Sequence, residues 1–167
     1  MKKQIILLNG PSSSGKSTLS KALQEFIEKR HEKYVIISID DHMKLSQEET
    51  IYEDDVFEIS GDMCTHVLEA LQTSSGVIID HVITSERIFQ QLITMLGQYH
   101  IHLVHVTCPL DILIQREYAR SNRCIGSAES SHKYLFLKYG YDLTLDTSVM
   151  TPTECSEKIY DLLLQNS

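Results

Sequence analysis

The sequence contains no apolar run long enough for a membrane-spanning helix and no CxxC pair. A membrane helix needs about 20 consecutive apolar residues, so a membrane partner is not expected. The four cysteines are scattered, at Cys64, Cys108, Cys124 and Cys155. Scattered cysteines favour neither a disulfide framework nor a zinc site, and they are typical of a reducing compartment. A cytoplasmic location is therefore expected.

The sequence also lacks an excess of positive charge. It has 15 lysines and arginines and 23 acidic residues, which give a formal net charge of -8. Such a surface repels nucleic-acid phosphates, so a nucleic-acid partner is not expected. A small nucleotide is still permitted, since a few local cations suffice to bind it. Neither an internal repeat nor an interdomain linker interrupts the 167 residues. A single domain over residues 1–167 is predicted.

Short apolar runs alternate with helical patterns along the chain. The predicted strands are Gln4–Leu8, Tyr34–Ile39, Val77–Asp80, His102–Val106 and Tyr141–Leu145. The predicted helices are Lys16–Arg30, Gly61–Gln72, Glu86–Leu96, Leu110–Arg120, Ala128–Lys138 and Pro152–Leu164. Continuous apolar runs indicate strands buried on both faces, and the alternation predicts helices on both sides of a parallel sheet. The expected fold is a three-layer α/β domain with a five-stranded parallel sheet.

A glycine-rich phosphate-binding motif follows the first predicted strand. Residues 10–17 read GPSSSGKS, which matches G-x-x-x-x-G-K-[ST] in full and lies between the run IILL and a helical pattern. In that context the motif binds nucleotide phosphates. We expect the two glycines to permit unusual backbone angles, Lys16 to bridge the β- and γ-phosphates of ATP or GTP, and Ser17 to bind Mg²⁺. The expected nucleotide-binding residues here are Gly10, Pro11, Ser12, Ser13, Ser14, Gly15, Lys16, Ser17 and Thr18.

Carboxylates follow two further predicted strands. Asp40 and Asp41 come after VIISI, and Asp80 ends the run GVIID. Open α/β sheets place their chemistry at the carboxyl ends of strands. One carboxylate there could take a proton from an attacking hydroxyl, and another, Asp80, could hold Mg²⁺ through water. The alternative is that each aspartate only caps a helix or turn.

Three arginines lie in the string QREYARSNRCIG, at Arg116, Arg120 and Arg123. The first two are one helical turn apart and share a face. Arginines on a mobile segment can close over a transferring phosphoryl group and neutralise its charge. The alternative is a solvated helix whose cations are favoured near its C-terminus.

Together these strings resemble the chloramphenicol phosphotransferase family of P-loop kinases. The resemblance covers IILLNGPSSSGKST, ISIDD, VIIDHVI, VTCPLDILIQREYARSNRCIG and YGYDLTLDT. It implies a general base at Asp40, phosphate and Mg²⁺ binding by Lys16 and Ser17, and a lid over about 116–127 that carries Arg120 and Arg123. It also implies that Asp146 and Thr147 lie near the adenine. His81 departs from the family, which tends to repeat the acid there, and residues 42–60 do not match.

The resemblance implies ATP-dependent transfer of the γ-phosphoryl group to a hydroxyl of a small molecule, such as a chloramphenicol-like antibiotic or an aminoglycoside. The acidic segment 47–60 suggests a cationic acceptor, although a solvated acidic face is the alternative. A nucleoside or nucleotide kinase and a non-enzymatic nucleotide switch also remain open. Against the switch, the sequence has neither the NKxD string of GTPases nor the LSGGQ string of ABC proteins.

Overall fold

In a computed structural model, which describes residues 2–43, 52–120 and 124–166, five strands form one parallel sheet. The strands are β1 (Gln4–Asn9), β2 (Tyr34–Ser38), β3 (Gly76–His81), β4 (His100–Thr107) and β5 (Leu143–Asp146). Their order across the sheet is β2-β3-β1-β4-β5, and every neighbouring pair is parallel. The predicted three-layer α/β fold with a five-stranded parallel sheet is confirmed.

Helices cover both faces of this sheet. They are α1 (Lys16–Glu28), α2 (Ile39–His42), α3 (Glu53–Thr73), α4 (Glu86–Leu96), α5 (Leu110–Ala119), α6 (Ser127–Tyr134) and α7 (Pro152–Gln165). Residues of α3 and α4 share one buried cluster with alternate strand residues, and α1 and α7 contribute to a second cluster on the opposite face. None of these helices has the length and apolarity needed to span a membrane, over the residues described.

Strand β1 shows why the central strands are apolar throughout. Ile5 and Leu7 belong to the cluster on the α3 side, whereas Ile6 and Leu8 belong to the cluster on the α1 side. All four side chains are buried. Because successive strand residues point to opposite faces, a strand covered on both sides needs apolar residues at every position. Truncating one of these side chains to alanine is expected to cost about 2–5 kcal/mol of unfolding free energy.

The largest departure from the predicted elements is at the acidic segment. Helix α3 begins at Glu53 instead of Gly61, with Asp54 and Asp55 also in its first turn. Acidic side chains are favoured there by the partial positive charge of a helix N-terminus. The acidic residues therefore start a helix that the apolar pattern alone does not reveal.

Smaller departures occur at several other boundaries. Strand β2 ends at Ser38, whose hydroxyl accepts a hydrogen bond from the backbone of Asp40 at 3.2 Å and begins α2. Asp40 therefore lies on a short helix. Helix α6 ends at Tyr134 rather than Lys138, and β5 begins at Leu143 rather than Tyr141.

Candidate active site

The phosphate-binding motif forms the turn between β1 and α1. Gly15 has a φ of 91°, a left-handed conformation that residues with a side chain disfavour. Gly10 has a different role from the one predicted, because its φ is not positive. A Cβ atom there would lie 2.3 Å from the carbonyl oxygen of Val106 on β4. Glycine is thus required at position 10 by close packing of two backbones and at position 15 by conformation.

Lys16 is buried inside this loop. Its Nζ donates hydrogen bonds to the carbonyl oxygens of Gly10 and Pro11, each at 2.9 Å. The hydroxyl oxygens of Ser12 and Ser13 are also buried, and neither has a hydrogen-bond partner among the residues described. Buried hydroxyls without partners are costly unless a ligand satisfies them. The loop therefore fits an anion with several oxygen acceptors, as a nucleotide phosphate has.

The two residues predicted to hold a metal are brought together. The Ser17 hydroxyl donates to Oδ2 of Asp80 at 2.9 Å, across the gap between α1 and β3. A hydroxyl and a carboxylate are hard oxygen ligands, which suit Mg²⁺ in a site completed by water and phosphate oxygens. Within the described ranges, no three or more His, Cys, Asp and Glu residues cluster as a metal site. The pair fits a metal that is shared with a nucleotide.

Asp40 faces the same region from the other side. It lines a cavity of about 210 Å³ together with Lys16, Ser17 and Asp80. The other lining residues are Ser12, Ser13, Gly15, Ile39, Met43, Val56, His81, Val82, Arg120, Ser127 and Ser131. Asp41 is exposed on α2 and does not line this cavity. Of these two adjacent aspartates, only Asp40, for which the family resemblance implies the base, lines the cavity.

Helix α2, which carries Asp40, is tied to its neighbours by His42. Nδ1 of His42 lies 2.9 Å from the carbonyl oxygen of Ser38 at the end of β2. Its Nε2 lies 3.2 Å from Nδ1 of His66 on α3. The hydrogen bonds at both ring nitrogens hold a helix of only four residues, and hence Asp40, against β2 and α3.

Arg116 and Thr147 meet on the far side of the phosphate loop. The Arg116 guanidinium donates to the hydroxyl and carbonyl oxygens of Thr147, both at 3.0 Å, and the Thr147 hydroxyl donates to the carbonyl oxygen of Ser14 at 2.6 Å. A second cavity of about 360 Å³ lies here, lined in part by Thr18, Arg116 and Thr147. Asp146 is not among the lining residues, and its carboxylate accepts hydrogen bonds from the backbone and hydroxyl of Ser148.

Arg120 lines both cavities and follows directly after α5. It is thus placed between the phosphate loop and the region around Asp40. The other predicted lid arginine, Arg123, lies outside the described residues. The far end of the lid is held by Glu117, which is buried and accepts hydrogen bonds from the backbone N–H groups of Gly126 and Ala128 at 3.1 and 2.8 Å.

Several cavity residues were not predicted as site residues. Ser131 on α6 accepts a hydrogen bond from the backbone of Ser12 at 2.9 Å, and Ser127 lies one turn earlier on that helix. Met43 and Val56 form part of the apolar wall. Their positions depend on how α3 and α6 pack, which no local motif encodes. Among these residues, only His81 could have been noticed in the sequence, because it stands where the family tends to have an acidic residue.

The acidic segment does not surround this cavity in the part that the structure describes. Glu53 accepts a hydrogen bond from the Ser85 hydroxyl at 2.8 Å, and Asp54 pairs with Arg87 at 2.6 Å. Both contacts face the start of α4. Of residues 52–60, only Val56 lines the cavity. Glu53 and Asp54 therefore give no support to a cationic acceptor, whereas Glu48 and Glu49 lie outside the described residues.

Known proteins resemble the chain in sequence and in fold. The family model described as chloramphenicol phosphotransferase-like protein matches residues 3–164. No curated protein sequence matches the chain significantly.

Three solved structures share the fold at low sequence identity. APS kinase from Mycobacterium tuberculosis, in complex with AMPPNP and APS, has a TM-score of 0.77 at 15% identity, with 97% of this chain and 98% of that chain covered. A gluconokinase from Sinorhizobium meliloti 1021 has a TM-score of 0.70 at 16% identity, with 99% and 97% covered. Shikimate kinase from Acinetobacter baumannii, in complex with shikimate, has a TM-score of 0.64 at 19% identity, with 100% and 96% covered. The fold is that of P-loop kinases.

Proposed function

The chain belongs to the chloramphenicol phosphotransferase-like family, and we propose that it transfers the γ-phosphoryl group of ATP to a hydroxyl group of a small molecule. One observation carries this proposal: Asp40, Lys16 and the Ser17–Asp80 pair line the same cavity. A proton acceptor, a phosphate-binding cation and a pair of Mg²⁺ ligands are the groups that such a transfer needs.

The donor half of the reaction is assigned to the phosphate loop. In the free loop, the Lys16 ammonium group binds two carbonyl oxygens of its own turn, Gly10 and Pro11. On nucleotide binding it would exchange these for phosphate oxygens and neutralise the charge of the transferring group. Ser17 and Asp80 would hold Mg²⁺, which withdraws charge from the phosphate oxygens when it is bound. Arg116 and Thr147 line the adjoining cavity, where the nucleoside part would lie.

The acceptor half is assigned to the cavity wall around Asp40. Its carboxylate would accept the proton of the acceptor hydroxyl as the oxygen attacks the γ-phosphorus. Holding that hydroxyl in line with the phosphate is a large part of catalysis, because positioning replaces a bimolecular encounter. Arg120, which lines both cavities, would reach the charge that develops between donor and acceptor. Arg123 is proposed to share this role, as the family resemblance implies.

The acceptor itself is proposed to be a small polar molecule such as an antibiotic of the chloramphenicol type. A nucleoside or nucleotide kinase remains the second candidate, because it would use the same phosphate loop, strand-end carboxylate and lid arginines. A nucleotide switch is disfavoured by the Asp40 cavity, since a switch needs no proton acceptor beside the phosphates.

An acceptor screen tests the proposal. ADP release would be measured with Mg²⁺ and ATP in the presence of chloramphenicol, an aminoglycoside, D-gluconate, shikimate or a nucleoside, and phosphorylated products would be identified by mass spectrometry. The proposal predicts that at least one acceptor stimulates ADP release and gains one phosphoryl group. Slow hydrolysis that no acceptor stimulates would contradict it and favour the switch.

A further inference from the structure

Helix α6 borders the cavity that contains Asp40, although little of this helix is buried. Its two buried residues are Ala128 and Ser131. Ala128 packs with Leu113 of α5 and with Cys108 in a small apolar cluster. Short helices are marginal by themselves and depend on tertiary contacts. Because α6 has eight residues and buries so few apolar atoms, polar contacts must also hold it in place.

Glu117 on α5 supplies such a contact at the start of α6. The residue is only 2% exposed. Its Oε2 accepts a hydrogen bond from the backbone N–H of Gly126 at 3.1 Å, and its Oε1 accepts one from that of Ala128 at 2.8 Å. The first N–H groups of a helix have no partner within the helix. Gly126 has no side chain that could cap them, so the carboxylate of another helix takes the place of a cap.

The contact suits both of its partners. A buried carboxylate is costly unless its oxygens accept hydrogen bonds, and here each oxygen of Glu117 accepts one. The N-terminus of α6 adds a partial positive charge. Gly126 has a φ of 100°, which residues with a side chain disfavour, while a Cβ atom there would meet nothing within 4 Å. Glycine is thus suited to this position by backbone conformation and not by space.

Ser131, one turn beyond Ala128, connects α6 to the phosphate loop. Its Oγ accepts a hydrogen bond from the backbone N–H of Ser12 at 2.9 Å. Ser12 and Ser131 both line the cavity with Asp40, and neither lines the second cavity beside Arg116. A displacement of α6 would therefore reach the phosphate loop on the side where the phosphoryl group is proposed to be transferred.

We infer that Glu117 is a positioning residue for phosphoryl transfer: it fixes α6, whose Ser131 in turn holds the backbone of Ser12. This inference rests on the proposed function. Glu117 lines neither cavity, so it acts through α6 and not by contact with the reacting groups. The transfer step is sensitive to such an effect, because a misplacement of about 1 Å can lower a rate about 10²-fold.

Nucleotide affinity should depend much less on Glu117. Arg116, its neighbour on α5, is held separately by two hydrogen bonds to Thr147. Thr147 donates in turn to the carbonyl oxygen of Ser14. The second cavity therefore keeps these contacts when α6 loses its cap. A lower kcat with an unchanged nucleotide Kd distinguishes the positioning of α6 from a general loss of the site.

Glu117→Gln tests the inference, with Glu129→Gln as its matched control. Glutamine keeps the size of the side chain but has one acceptor oxygen instead of two, so one N–H group of α6 loses its partner. Glu129 is also in the first turn of α6, but it is exposed. The assay uses whichever of chloramphenicol, an aminoglycoside, D-gluconate, shikimate and a nucleoside most stimulates ADP release.

We expect Glu117→Gln to lower kcat about tenfold, as the loss of one buried hydrogen bond would. The Kd for ATP, measured without acceptor, should stay within about twofold of the wild-type value. Glu129→Gln should leave both constants unchanged. A normal kcat in Glu117→Gln, or a Kd for ATP that weakens as much as kcat falls, would overturn the inference.

Ser131→Ala tests the other end of the connection, and it removes only one hydroxyl group. It should also lower kcat about tenfold, because the N–H group of Ser12 loses its acceptor. Combining it with Glu117→Gln should lower kcat little further, since both substitutions break the same connection. Effects that multiply in the double variant would show that the two residues act independently, and would overturn the inference.

Ser131→Ala alone decides the matter if Glu117→Gln does not fold. An unchanged kcat in Ser131→Ala would overturn the inference, because α6 would then have no influence on the phosphate loop. If no acceptor stimulates ADP release by the wild-type protein, the proposed function fails and the inference fails with it. That result is obtained before any variant is made, so it is distinct from a failure of the inference alone.

Discussion

The phosphate loop and the acceptor wall are built in different ways, although they border the same cavity. The loop is one continuous segment, whose lysine, serines and glycines are held by bonds to nearby backbone atoms and to Thr147. The acceptor wall is assembled from α2, α3, the end of β3 and α6. It combines apolar side chains with hydrogen bonds between separate elements, such as that of His42 on α2 with His66 on α3. The continuous segment is proposed to bind the nucleotide phosphates, a task that P-loop kinases share, whereas a wall assembled from separate elements can vary with the acceptor.

The largest expected effect is at the loop. Lys16→Ala should lower kcat/KM by about 10³-fold or more, because the cation that neutralises the transferring group is lost. Steady-state ADP release measures the effect. Lys21→Ala, an exposed position on the same helix, is the matched control and should leave the rate unchanged. Equal activity in the two variants would show that the loop does not bind the reacting phosphates.

A smaller effect, on the KM for ATP alone, should distinguish residues that bind the nucleotide from residues that bind the acceptor. Arg116→Ala removes the two bonds that hold Thr147 at the proposed nucleoside cavity. It should raise the KM for ATP about tenfold, since a cation at that cavity and the position of Thr147 are both lost. The acceptor KM should stay constant. Thr147→Val, which removes only the hydroxyl, should show the same pattern at lower amplitude. A change confined to the acceptor KM would mean that Arg116 serves the other half of the site.

Acid should destabilise the fold through two buried histidines, one in the acceptor wall and one far from it. Burial lowers the pKa of His81 and of His102 to about 4, from an ordinary value of 6.5. Between these values the unfolded chain binds more protons, so stability falls as pH is lowered from 6.5 towards 4. Each histidine should add a slope of about 1.4 kcal/mol per pH unit within that window.

Denaturant unfolding at several pH values measures these slopes. His81→Asn and His102→Asn should each remove part of the slope. His31→Asn is the control substitution, because His31 is exposed and its φ of 65° is one that asparagine tolerates. A slope that stays unchanged in both buried variants would show that neither histidine is neutral in the fold.

The smallest effect is expected in the acidic first turn of α3. Asp54 and Arg87 form an exposed pair, with side chains 87% and 51% accessible, so Asp54→Asn should change stability by less than about 1 kcal/mol. The kinetics should not change. Val56→Ala on the same helix should instead raise the acceptor KM a few-fold, because Val56 lines the cavity. If Asp54→Asn raised the acceptor KM more than Val56→Ala does, the hypothesis of a cationic acceptor would be revived.

The same contrast explains how much of the site could be predicted. Lys16, Ser17 and Asp80 were recognisable because a local motif and a strand end specify their positions. The capping box of α7, formed by Thr151 and Glu154, is likewise a local pattern, since its residues are three positions apart. By contrast, Ser131 and Val56 reach the cavity through the packing of α6 and α3, which depends on contacts distant in sequence. No local spacing encodes such contacts.

Asp40 and Asp41 illustrate the limit within a single motif. Both follow β2, and the strand-end rule alone does not separate them, although the family resemblance implies Asp40. The serine cap at Ser38 begins α2 and places Asp40 at the cavity while Asp41 is exposed. The rule that sites lie at the carboxyl ends of strands therefore predicts roughly where a site carboxylate lies along the chain. The start of the four-residue helix α2 decides which of the two carboxylates lines the cavity.

The most direct test of the account compares Asp40→Asn with Asp41→Asn in acceptor-dependent phosphoryl transfer, with nucleotide affinity measured alongside. If Asp40 is the base, Asp40→Asn should lower kcat by about 10²- to 10⁴-fold. Its nucleotide Kd should stay within about twofold of the wild-type value, whereas the loss of a strong nucleotide contact would weaken binding about tenfold. Asp41→Asn should retain near-normal turnover. Near-normal turnover in Asp40→Asn, or equal losses in both variants, would contradict the assignment.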